Sequence, residues 1–416
     1  MRGLMDPTVW AEFTPLAVQH GAFNLGQGFP DWPCPDFCKQ AVAKAVQENF
    51  NQYARSAGHP ALVQVLAEQY SKLMGRDING MTEVTVSMGC TEGLFAIWQA
   101  LLSDGDEVVV FEPAFDVYAP QVQMAGGKCT FVPLKPDDKG GWGFDVTEFE
   151  AAFTNKTRAV LLNNPHNPTG KVFTNEELEA LCNVVKKHEG VILVTDEVYE
   201  RIIFDGNKHV YAASLDGMWD RTLTVSSAGK TFSTTGWKVG WVIGPEALVL
   251  QVMNVNQWVQ YCVPTVLQQA VAEVLKQAEE PFEGHASYYA YLVDRYQRKR
   301  DRLVVALRDA NIVPIVPEGG IFVVADTSGV LGFDGTIAEQ YMQQTTPACP
   351  IMTRDWALCR WLTIEKGVCA IPPSTFYKPE HKHLAANLAR FAFCKEDSTI
   401  EGAAAALHKL HVENSK

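Results

Sequence analysis

The sequence lacks the features that mark membrane, secreted and nucleic-acid-binding proteins. No apolar run approaches the length that a bilayer-spanning helix needs, and residues 1–7 do not contain the apolar core of a secretory signal. Basic residues are in deficit, because 35 Lys and Arg stand against 48 Asp and Glu, which gives a net charge of −13. This charge favours solubility and argues against nucleic acid or an anionic membrane as a partner.

Ten cysteines are scattered along the chain, without a CxxC pair and without the Cys/His spacing of a metal site. In a chain of this length that has no secretory signal, such cysteines are typical of reduced thiols in a reducing compartment. We therefore expect no metal site and a cytoplasmic location. A mitochondrial location stays open if a presequence has been removed.

The pattern of apolar residues predicts an α/β fold. Short, nearly continuous apolar runs predict buried strands at residues 83–87, 107–111, 159–162, 191–195 and 222–225. Helices are predicted between them, among others at residues 91–102 and at residues 175–188, where Thr174 and Glu177 suggest an N-terminal cap. This alternation favours a mostly parallel central sheet.

A chain of 416 residues exceeds the usual size of a single core, so two domains are expected. From about residue 280 the pattern changes to a long charged helix at 288–310 and a strand at 321–325, which indicates a second, smaller α+β domain. We predict an N-terminal arm (1–15), an N-terminal part of the small domain (16–36), a large domain (37–280) and the C-terminal small domain (281–416). Residues 118–126 and 331–353 suggest no chemistry.

Polar or glycine-rich residues follow four of the predicted strands, at the edge where open α/β sheets bind ligands. Gly89, Cys90 and Thr91 come at the start of a helix, where free backbone N–H groups, a hydroxyl and the positive end of the helix dipole suit a phosphate. A plain tight turn explains this segment equally well.

Asp196 ends an apolar strand, and a carboxylate in such a setting needs a partner. A helix N-cap or a protonated heterocyclic nitrogen would supply one. Lys230 follows small residues and has room to reach inward, although most lysines are solvated surface groups. Ser227 and Lys238 add capacity to bind an anion. A phosphate anchor, a carboxylate and an amine are the groups that pyridoxal 5'-phosphate (PLP) requires.

Five segments occur in an order and spacing that resemble the class I/II aminotransferases of PLP fold type I: 24–31 (NLGQGFPD), 164–170 (NPHNPTG), 196–200 (DEVYE), 227–230 (SAGK) and 235–241 (TGWKVGW). More narrowly, the chain is similar to the kynurenine–oxoglutarate/glutamine transaminase K and methionine aminotransferase group. The resemblance runs from about Trp10 to Leu410. It implies the PLP-transferase fold, PLP as cofactor, and a homodimer with shared active sites.

The same resemblance implies how the cofactor ring is held. Lys230 would bind PLP covalently and act as the general base, and Asp196 would pair with the pyridine nitrogen. Tyr199 and Asn167 would hydrogen-bond the ring hydroxyl oxygen. The resemblance implies that Lys230, Asp196 and Tyr199 are the catalytic residues. Phe115 would stack on the ring.

The resemblance also implies the residues around the phosphate and the substrate. Arg390 would bind the substrate carboxylate, with Asn167 beside it, and Gly28 and Trp10 would shape the pocket. The residues expected at the phosphate are Gly89, Cys90, Thr91, Ser227, Lys238 and, from the neighbouring subunit, Tyr53. Kynurenine-preferring members tend to carry Tyr where Thr91 stands and His where Cys262 stands, so these two positions bear on the substrate and leave the core chemistry unchanged.

We therefore predict a PLP-dependent aminotransferase that moves an amino group between a large neutral or aromatic L-amino acid, such as methionine, glutamine, phenylalanine or kynurenine, and a 2-oxo acid. A cysteine-S-conjugate β-lyase on the same fold needs the same lysine and aspartate and stays open. A non-enzymatic PLP-fold regulator would need a DNA-binding module and a basic patch that the sequence lacks. A nicotinamide enzyme is disfavoured, since Gly26-x-Gly28 lacks the third glycine and does not follow a predicted strand.

Overall fold

A seven-stranded sheet forms the centre of the chain in the computed structural model, which describes residues 7–137 and 140–414. The first six residues of the predicted N-terminal arm, residues 138–139 of the predicted large domain and residues 415–416 at the end of the predicted small domain lie outside the described residues. In chain order the strands are β1 (Phe23–Asn24), β2 (Val84–Ser87), β3 (Glu107–Glu112), β4 (Lys128–Pro133), β5 (Lys135–Pro136), β6 (Trp142–Gly143), β7 (Thr157–Asn163), β8 (Ile192–Asp196), β9 (Thr222–Ser227), β10 (Gly240–Ile243), β11 (Val313–Ile315), β12 (Phe322–Asp326), β13 (Val368–Cys369) and β14 (Leu388–Ala392).

Helices surround the sheet and continue into the C-terminal part of the chain. They are α1 (Val9–Gln19), α2 (Asp36–Gln47), α3 (Pro60–Met74), α4 (Gly89–Leu101), α5 (Tyr118–Met124), α6 (Val146–Ala151), α7 (Asn175–Lys187), α8 (Ala228–Thr231), α9 (Glu246–Val259), α10 (Thr265–Gln277), α11 (Tyr288–Asp309), α12 (Gly335–Met342), α13 (Arg354–Glu365) and α14 (Asp397–Asn414). None of these described helices is both long and apolar enough to cross a bilayer. The predicted capping box of α7 is present, because Thr174 and Glu177 each accept a backbone N–H of the other.

The strand order of the central sheet is β2-β10-β9-β8-β7-β3-β4. From β9 to β4 all neighbouring strands run parallel, whereas β10 is antiparallel to both β9 and β2. The five predicted strands are β2, β3, β7, β8 and β9, so the prediction of a mostly parallel α/β sheet is confirmed. Strands β4 and β10 of this sheet were not predicted from the sequence. β4 is an edge strand with a partly exposed start, and β10 is four residues long and begins at a glycine.

Both faces of the sheet are covered, which explains why its strands are apolar without alternation. Along β3, Val108 and Val110 pack into a layer with helices α4 and α9. Val109 and Phe111 point to the other face and pack with helix α7. Successive side chains of a strand point to opposite faces, so a strand between two helical layers needs apolar residues at every position.

The C-terminal part of the chain forms a second, antiparallel sheet with the order β11-β12-β14. The predicted long helix at 288–310 is α11, and the predicted strand at 321–325 is β12, so both predictions are confirmed. Strand β1 pairs with β13 in parallel and joins the N-terminal segment to this part of the chain. The predicted domain boundaries stay a prediction.

Candidate active site

One pocket lies at the carboxyl ends of the parallel strands and brings together every predicted site residue except Tyr53. The predicted residues that line it are Trp10, Gly28, Gly89, Cys90, Thr91, Phe115, Asn167, Asp196, Tyr199, Ser227, Lys230, Lys238 and Arg390. Most of them come from strand ends, helix starts and loops that are far apart in sequence, and Arg390 comes from the middle of strand β14. The position at this edge follows from the parallel sheet, because the strand ends converge there.

Lys230 lies in the short helix α8, directly after strand β9. Its Nζ atom donates a hydrogen bond of 2.5 Å to the backbone carbonyl of Gly28. Burial lowers the pKa of Lys230 below its ordinary value, because a low-dielectric setting disfavours the charged amine. An amine in this environment has an increased neutral fraction, which is the form that attacks a carbonyl carbon or accepts a proton.

Asp196 is buried at the end of strand β8. Its Oδ2 accepts a hydrogen bond of 2.8 Å from the Tyr118 hydroxyl, and its Oδ1 accepts a longer bond of 3.4 Å from the Val198 N–H. Burial raises the pKa of Asp196 to about 6, although the Tyr118 hydrogen bond acts in the opposite direction. A cationic ligand group beside Oδ1 would stabilise the carboxylate, as a protonated pyridine nitrogen does.

The side chain of Asn163 links the end of strand β7 to the end of strand β8 and to the loop that follows β7. The Asn163 side-chain amide donates to the backbone carbonyl of Asp196 at 2.8 Å. The Asn163 side-chain oxygen accepts the Asn167 backbone N–H at 2.6 Å. Through these bonds the loop that carries Asn167 is held beside the carboxylate of Asp196.

The start of helix α4 forms a cradle with Lys238. The first N–H groups of a helix have no partner within that helix, and here they belong to a segment that lines the pocket. A Cβ atom at Gly89 would lie 3.1 Å from Lys238 Nζ, and a Cβ atom at Gly240 would lie 2.6 Å from the Gly89 carbonyl carbon. Burial raises the pKa of the Cys90 thiol well above its ordinary value, so the thiol stays neutral. The cradle therefore combines a lysine, free N–H groups and a helix dipole, which fits a phosphate.

Arg390 is 1% exposed, in the middle of strand β14. Its Nη2 donates to the Gly26 carbonyl at 2.7 Å, and its Nη1 donates to the Asn167 side-chain oxygen at 3.3 Å. The buried Nε atom has no hydrogen-bond partner in the described structure. Within the described ranges no carboxylate pairs with this guanidinium group, and burial lowers the pKa of Arg390 to about 10.

Three aromatic rings surround the Arg390 guanidinium carbon, which lies 4.0 Å from the ring centre of Phe322, 4.9 Å from that of Phe376 and 5.3 Å from that of Trp10. A buried cation without a carboxylate partner is unfavourable. A structural salt bridge, the alternative to a ligand-binding role, is absent from the residues that the structure describes. The arrangement favours a carboxylate that arrives with a ligand.

Gly28 and Trp10 close the pocket on the Arg390 side. A Cβ atom at Gly28 would lie 2.3 Å from Cζ of Phe322, so a side chain at this position would displace that ring. The Trp10 indole N–H donates a hydrogen bond of 2.8 Å to Asp116. Helix α1 is thereby fastened to the loop that follows strand β3.

Tyr53 does not line the pocket of its own chain. Its side chain is 81% exposed and lies edge-on against the ring of Tyr261, with the ring centres 5.0 Å apart. Tyr261, which is 51% exposed, is not among the residues that line the pocket either.

Several residues of this site were not predicted from the sequence. Residues 118–126 were expected to carry no chemistry, and this was wrong for Tyr118, which bonds Asp196 and lines the pocket. Phe322 was predicted as part of a strand but not as the ring against Arg390. Asn163, beside the quoted segment 164–170, and Asp116 were not assigned a role. Tyr118 lies three residues after Phe115, and this closeness in sequence to a predicted ring-stacking residue was the one available signal.

The sequence profile of the family described as aminotransferase class I and II matches residues 21–407. A kynurenine–oxoglutarate transaminase of Dictyostelium discoideum is 43% identical over 97% of this chain and 94% of its own length. Kynurenine–oxoglutarate transaminase 1 of Homo sapiens is 39% identical over 98% and 97%. Among solved structures, YbdL of Escherichia coli, for which a methionine aminotransferase function was identified, is 34% identical, covers 98% of both chains and has a TM-score of 0.86.

Proposed function

Since the chain belongs to the class I and II aminotransferases, whose members depend on PLP, we propose that its amino donors are large neutral or aromatic L-amino acids. Methionine, glutamine, phenylalanine and kynurenine represent this class, and a 2-oxo acid is the acceptor. The prediction of a PLP-dependent aminotransferase is thereby confirmed. The preference among donors belongs to the proposal.

The observation that carries the proposal is the buried guanidinium of Arg390, which is held by neutral oxygens and surrounded by aromatic rings. Every amino donor and every 2-oxo acid brings a carboxylate that can meet this group with two parallel hydrogen bonds. Arg390 is the one arginine among the described residues that line the pocket, and several aromatic rings line the pocket as well. A donor side chain that enters between Trp10, Phe115 and Phe322 therefore finds apolar surfaces and no second arginine of this chain.

The residues present fit PLP, and we assign them as follows. Cys90, Thr91, Ser227 and Lys238 hold the phosphate, together with the backbone N–H groups that begin at Gly89. This assignment is supported by the approach of Lys238 Nζ to the start of helix α4.

At the other end of the cofactor, Asp196 keeps the pyridine nitrogen protonated. Tyr199 and Asn167 hydrogen-bond the ring hydroxyl oxygen, and Phe115 covers the ring. All four residues line the pocket that contains Lys230.

Bound PLP supplies an electron-accepting ring and an aldehyde carbon that receives the amino group. Lys230 would hold the cofactor through its side-chain amine. The same amine, when it is not bound to the cofactor, would take the proton from the substrate Cα, and its lowered pKa supports this task. Arg390 fixes the carboxylate on the same Cα, so that the C–H bond is oriented during the transfer.

Two chains complete the site in this proposal. The exposed ring of Tyr53 lies beside the exposed ring of Tyr261, which leaves a tyrosine hydroxyl available to a neighbouring subunit. We assign this hydroxyl to the phosphate of the partner's site in a homodimer. We also assign residues 37–280 to the large domain and residues 281–416 to the small one. A cytoplasmic location is supported by the ten cysteines, each of which is a free thiol.

A panel of amino donors, each assayed with several 2-oxo acids, tests the proposed substrates. We expect methionine, glutamine and the aromatic donors to exceed aspartate and glutamate in kcat/KM by at least about tenfold, because the dicarboxylates bring a second charge into an apolar pocket. Faster reaction of aspartate would overturn the assignment. Pyruvate and ammonia formed from a cysteine S-conjugate without added 2-oxo acid would instead identify the β-lyase activity.

A further inference from the structure

The start of helix α5 contacts the cofactor pocket at three separate points. The Tyr118 hydroxyl donates to Asp196 Oδ2 at 2.8 Å. The Tyr118 ring lies edge-on to Phe115, with the ring centres 5.6 Å apart. One turn further on, the Gln121 side-chain amide donates to the backbone carbonyl of Thr91 at 2.7 Å. A single helix is therefore bonded to the residues assigned to the ring nitrogen, the ring face and the phosphate.

The hydrogen bond from Tyr118 leaves the two oxygens of Asp196 unequal. Oδ2 is occupied by the hydroxyl at 2.8 Å, whereas Oδ1 receives only the 3.4 Å contact from the Val198 N–H. Tyr118 is 2% exposed and Asp196 is 4% exposed, so solvent does not replace this bond. Rotation of the carboxylate out of its present plane would break the bond and leave a buried hydroxyl unpaired, which is unfavourable. Oδ1 is the oxygen that remains for a ligand cation.

We propose that Tyr118 is a positioning residue, which holds Asp196 with Oδ1 directed to the pyridine nitrogen and keeps Phe115 in place beside it. Gln121 fastens the same helix to the phosphate end through the Thr91 carbonyl. The inference rests on the roles proposed above for Asp196, Phe115 and Thr91. Tyr118 does not itself touch the reacting atoms in this account.

A purely structural role for Tyr118 makes a different prediction. If the hydroxyl only satisfied a buried polar group, its removal would reduce stability without changing the protonation of the cofactor. Tyr118→Phe separates the two roles, because it keeps the ring against Phe115 and removes only the hydrogen bond. Tyr296→Phe is the matched control, since the Tyr296 hydroxyl is buried, has no hydrogen-bond partner in the described structure and lies outside the pocket.

The experiment uses the full chain and two readouts other than turnover. Equilibrium dialysis gives the dissociation constant of PLP, and nitrogen NMR of labelled PLP follows the protonation of its ring nitrogen with pH. We expect Tyr118→Phe to weaken PLP binding by about tenfold, the usual effect of one charge-assisted hydrogen bond. The pH at which the ring nitrogen loses its proton should fall by about one unit, since Asp196 loses a donor that stabilises its charged form. Tyr296→Phe should change neither value.

A second variant keeps the inference testable if Tyr118→Phe folds poorly. Gln121→Met preserves the size of the side chain and removes the donor to Thr91, so PLP binding should weaken while the titration of the ring nitrogen stays unchanged. The proposal is overturned if Tyr118→Phe leaves that titration at its wild-type position, whatever happens to affinity, or if Gln121→Met leaves PLP binding unchanged. Failure of the wild-type chain to bind PLP would instead contradict the cofactor assignment itself.

Discussion

The Nζ atom of Lys230 is hydrogen-bonded at 2.5 Å to the backbone carbonyl of Gly28, a residue 202 positions earlier in the chain. The backbone carbonyl of Gly26, two residues before Gly28, accepts a hydrogen bond of 2.7 Å from Arg390. One short backbone segment thus holds both of the basic side chains to which we assign the main functions. Because the bonds go to neutral carbonyls, the Arg390 guanidinium group stays available to an incoming carboxylate, and the bond to Gly28 adds no anion that would favour the charged form of the Lys230 amine.

Replacing Gly28 should disturb both Lys230 and Arg390. In Gly28→Ala, the added Cβ would lie 2.3 Å from Cζ of Phe322, so the Phe322 ring or the Gly28 backbone must move. Overpacking of this kind typically costs about 1–3 kcal/mol, and we expect kcat/KM to fall at least about fivefold. Gly236→Ala is the matched control, because its Cβ would meet nothing within 4 Å. Equal activity of the two variants would contradict the proposed packing.

Arg390→Lys tests the carboxylate site. Lysine retains the charge but lacks the planar fork that meets a carboxylate with two bonds. We expect kcat/KM to fall at least about tenfold for all amino donors alike, with PLP still bound. Arg300→Lys serves as the control, since Arg300 is also buried but pairs with Asp205 and Asp301 outside the pocket. Loss of PLP binding, or loss of activity towards only one amino donor, would show that Arg390 does not bind the carboxylate that all donors share.

The buried carboxyl of Asp196 should make the apoprotein less stable at high pH. Burial raises its pKa from 3.8 to about 6, so between these values the folded state binds more protons than the unfolded chain. Stability then falls as the pH rises through this window, and the loss persists above pH 6. Asp196→Asn removes the charge and should raise the stability of the apoprotein at pH 8 by up to about 3 kcal/mol.

Urea unfolding of apoprotein from pH 8 to pH 5 measures this effect. The gain of Asp196→Asn should shrink as the pH falls, and the same variant should bind PLP more weakly than the wild type. The assignment of a buried, ionising carboxyl at this position would be contradicted by an Asp196→Asn variant that is less stable than the wild type at pH 8, if the difference in unfolding free energy also stays the same at every pH.

Mixing experiments test whether two chains share each site. Lys230→Ala chains and Tyr53→Phe chains are each impaired, but their heterodimer would contain one site with both native residues. We therefore expect activity to rise on mixing. Lys230→Ala mixed with Arg390→Lys is the control, since both residues line the pocket of one chain and no heterodimer site would be intact. No recovery in the first mixture, or an active monomer by light scattering, would contradict the shared site.

The sequence predicted the sheet because its central strands, such as β3 and β8, are apolar on both faces and short, which distinguishes them from helices. It missed β10, whose four residues pair antiparallel to both neighbours and begin inside the motif 235–241 that contains Lys238. A short strand of this kind is defined by its neighbours in the sheet and leaves no periodic signal of its own.

In the candidate site, too, residues in recognisable segments were predicted, whereas residues defined only by their contacts were missed. Lys230, Asp196 and Arg390 stand in recognisable segments, and the pocket brings them together as expected. Tyr118 and Phe322 have ring side chains that are equally typical of an ordinary core. Their contacts with Asp196 and Arg390 join residues 78 and 68 positions apart. Phe322 meets Arg390 because strands β12 and β14 pair with each other, and Tyr118 meets Asp196 because the start of helix α5 lies beside the end of strand β8, so both contacts depend on the folded chain.

The most direct test of the central claim is borohydride reduction of the PLP-loaded protein, followed by peptide mapping. Reduction fixes the cofactor on the lysine that holds it. We expect the label on the peptide that contains Lys230, and no label on Lys230→Ala chains. A label on Lys238, or on any other lysine of the wild-type chain, would contradict the assignment of Lys230 and with it the catalytic site described here.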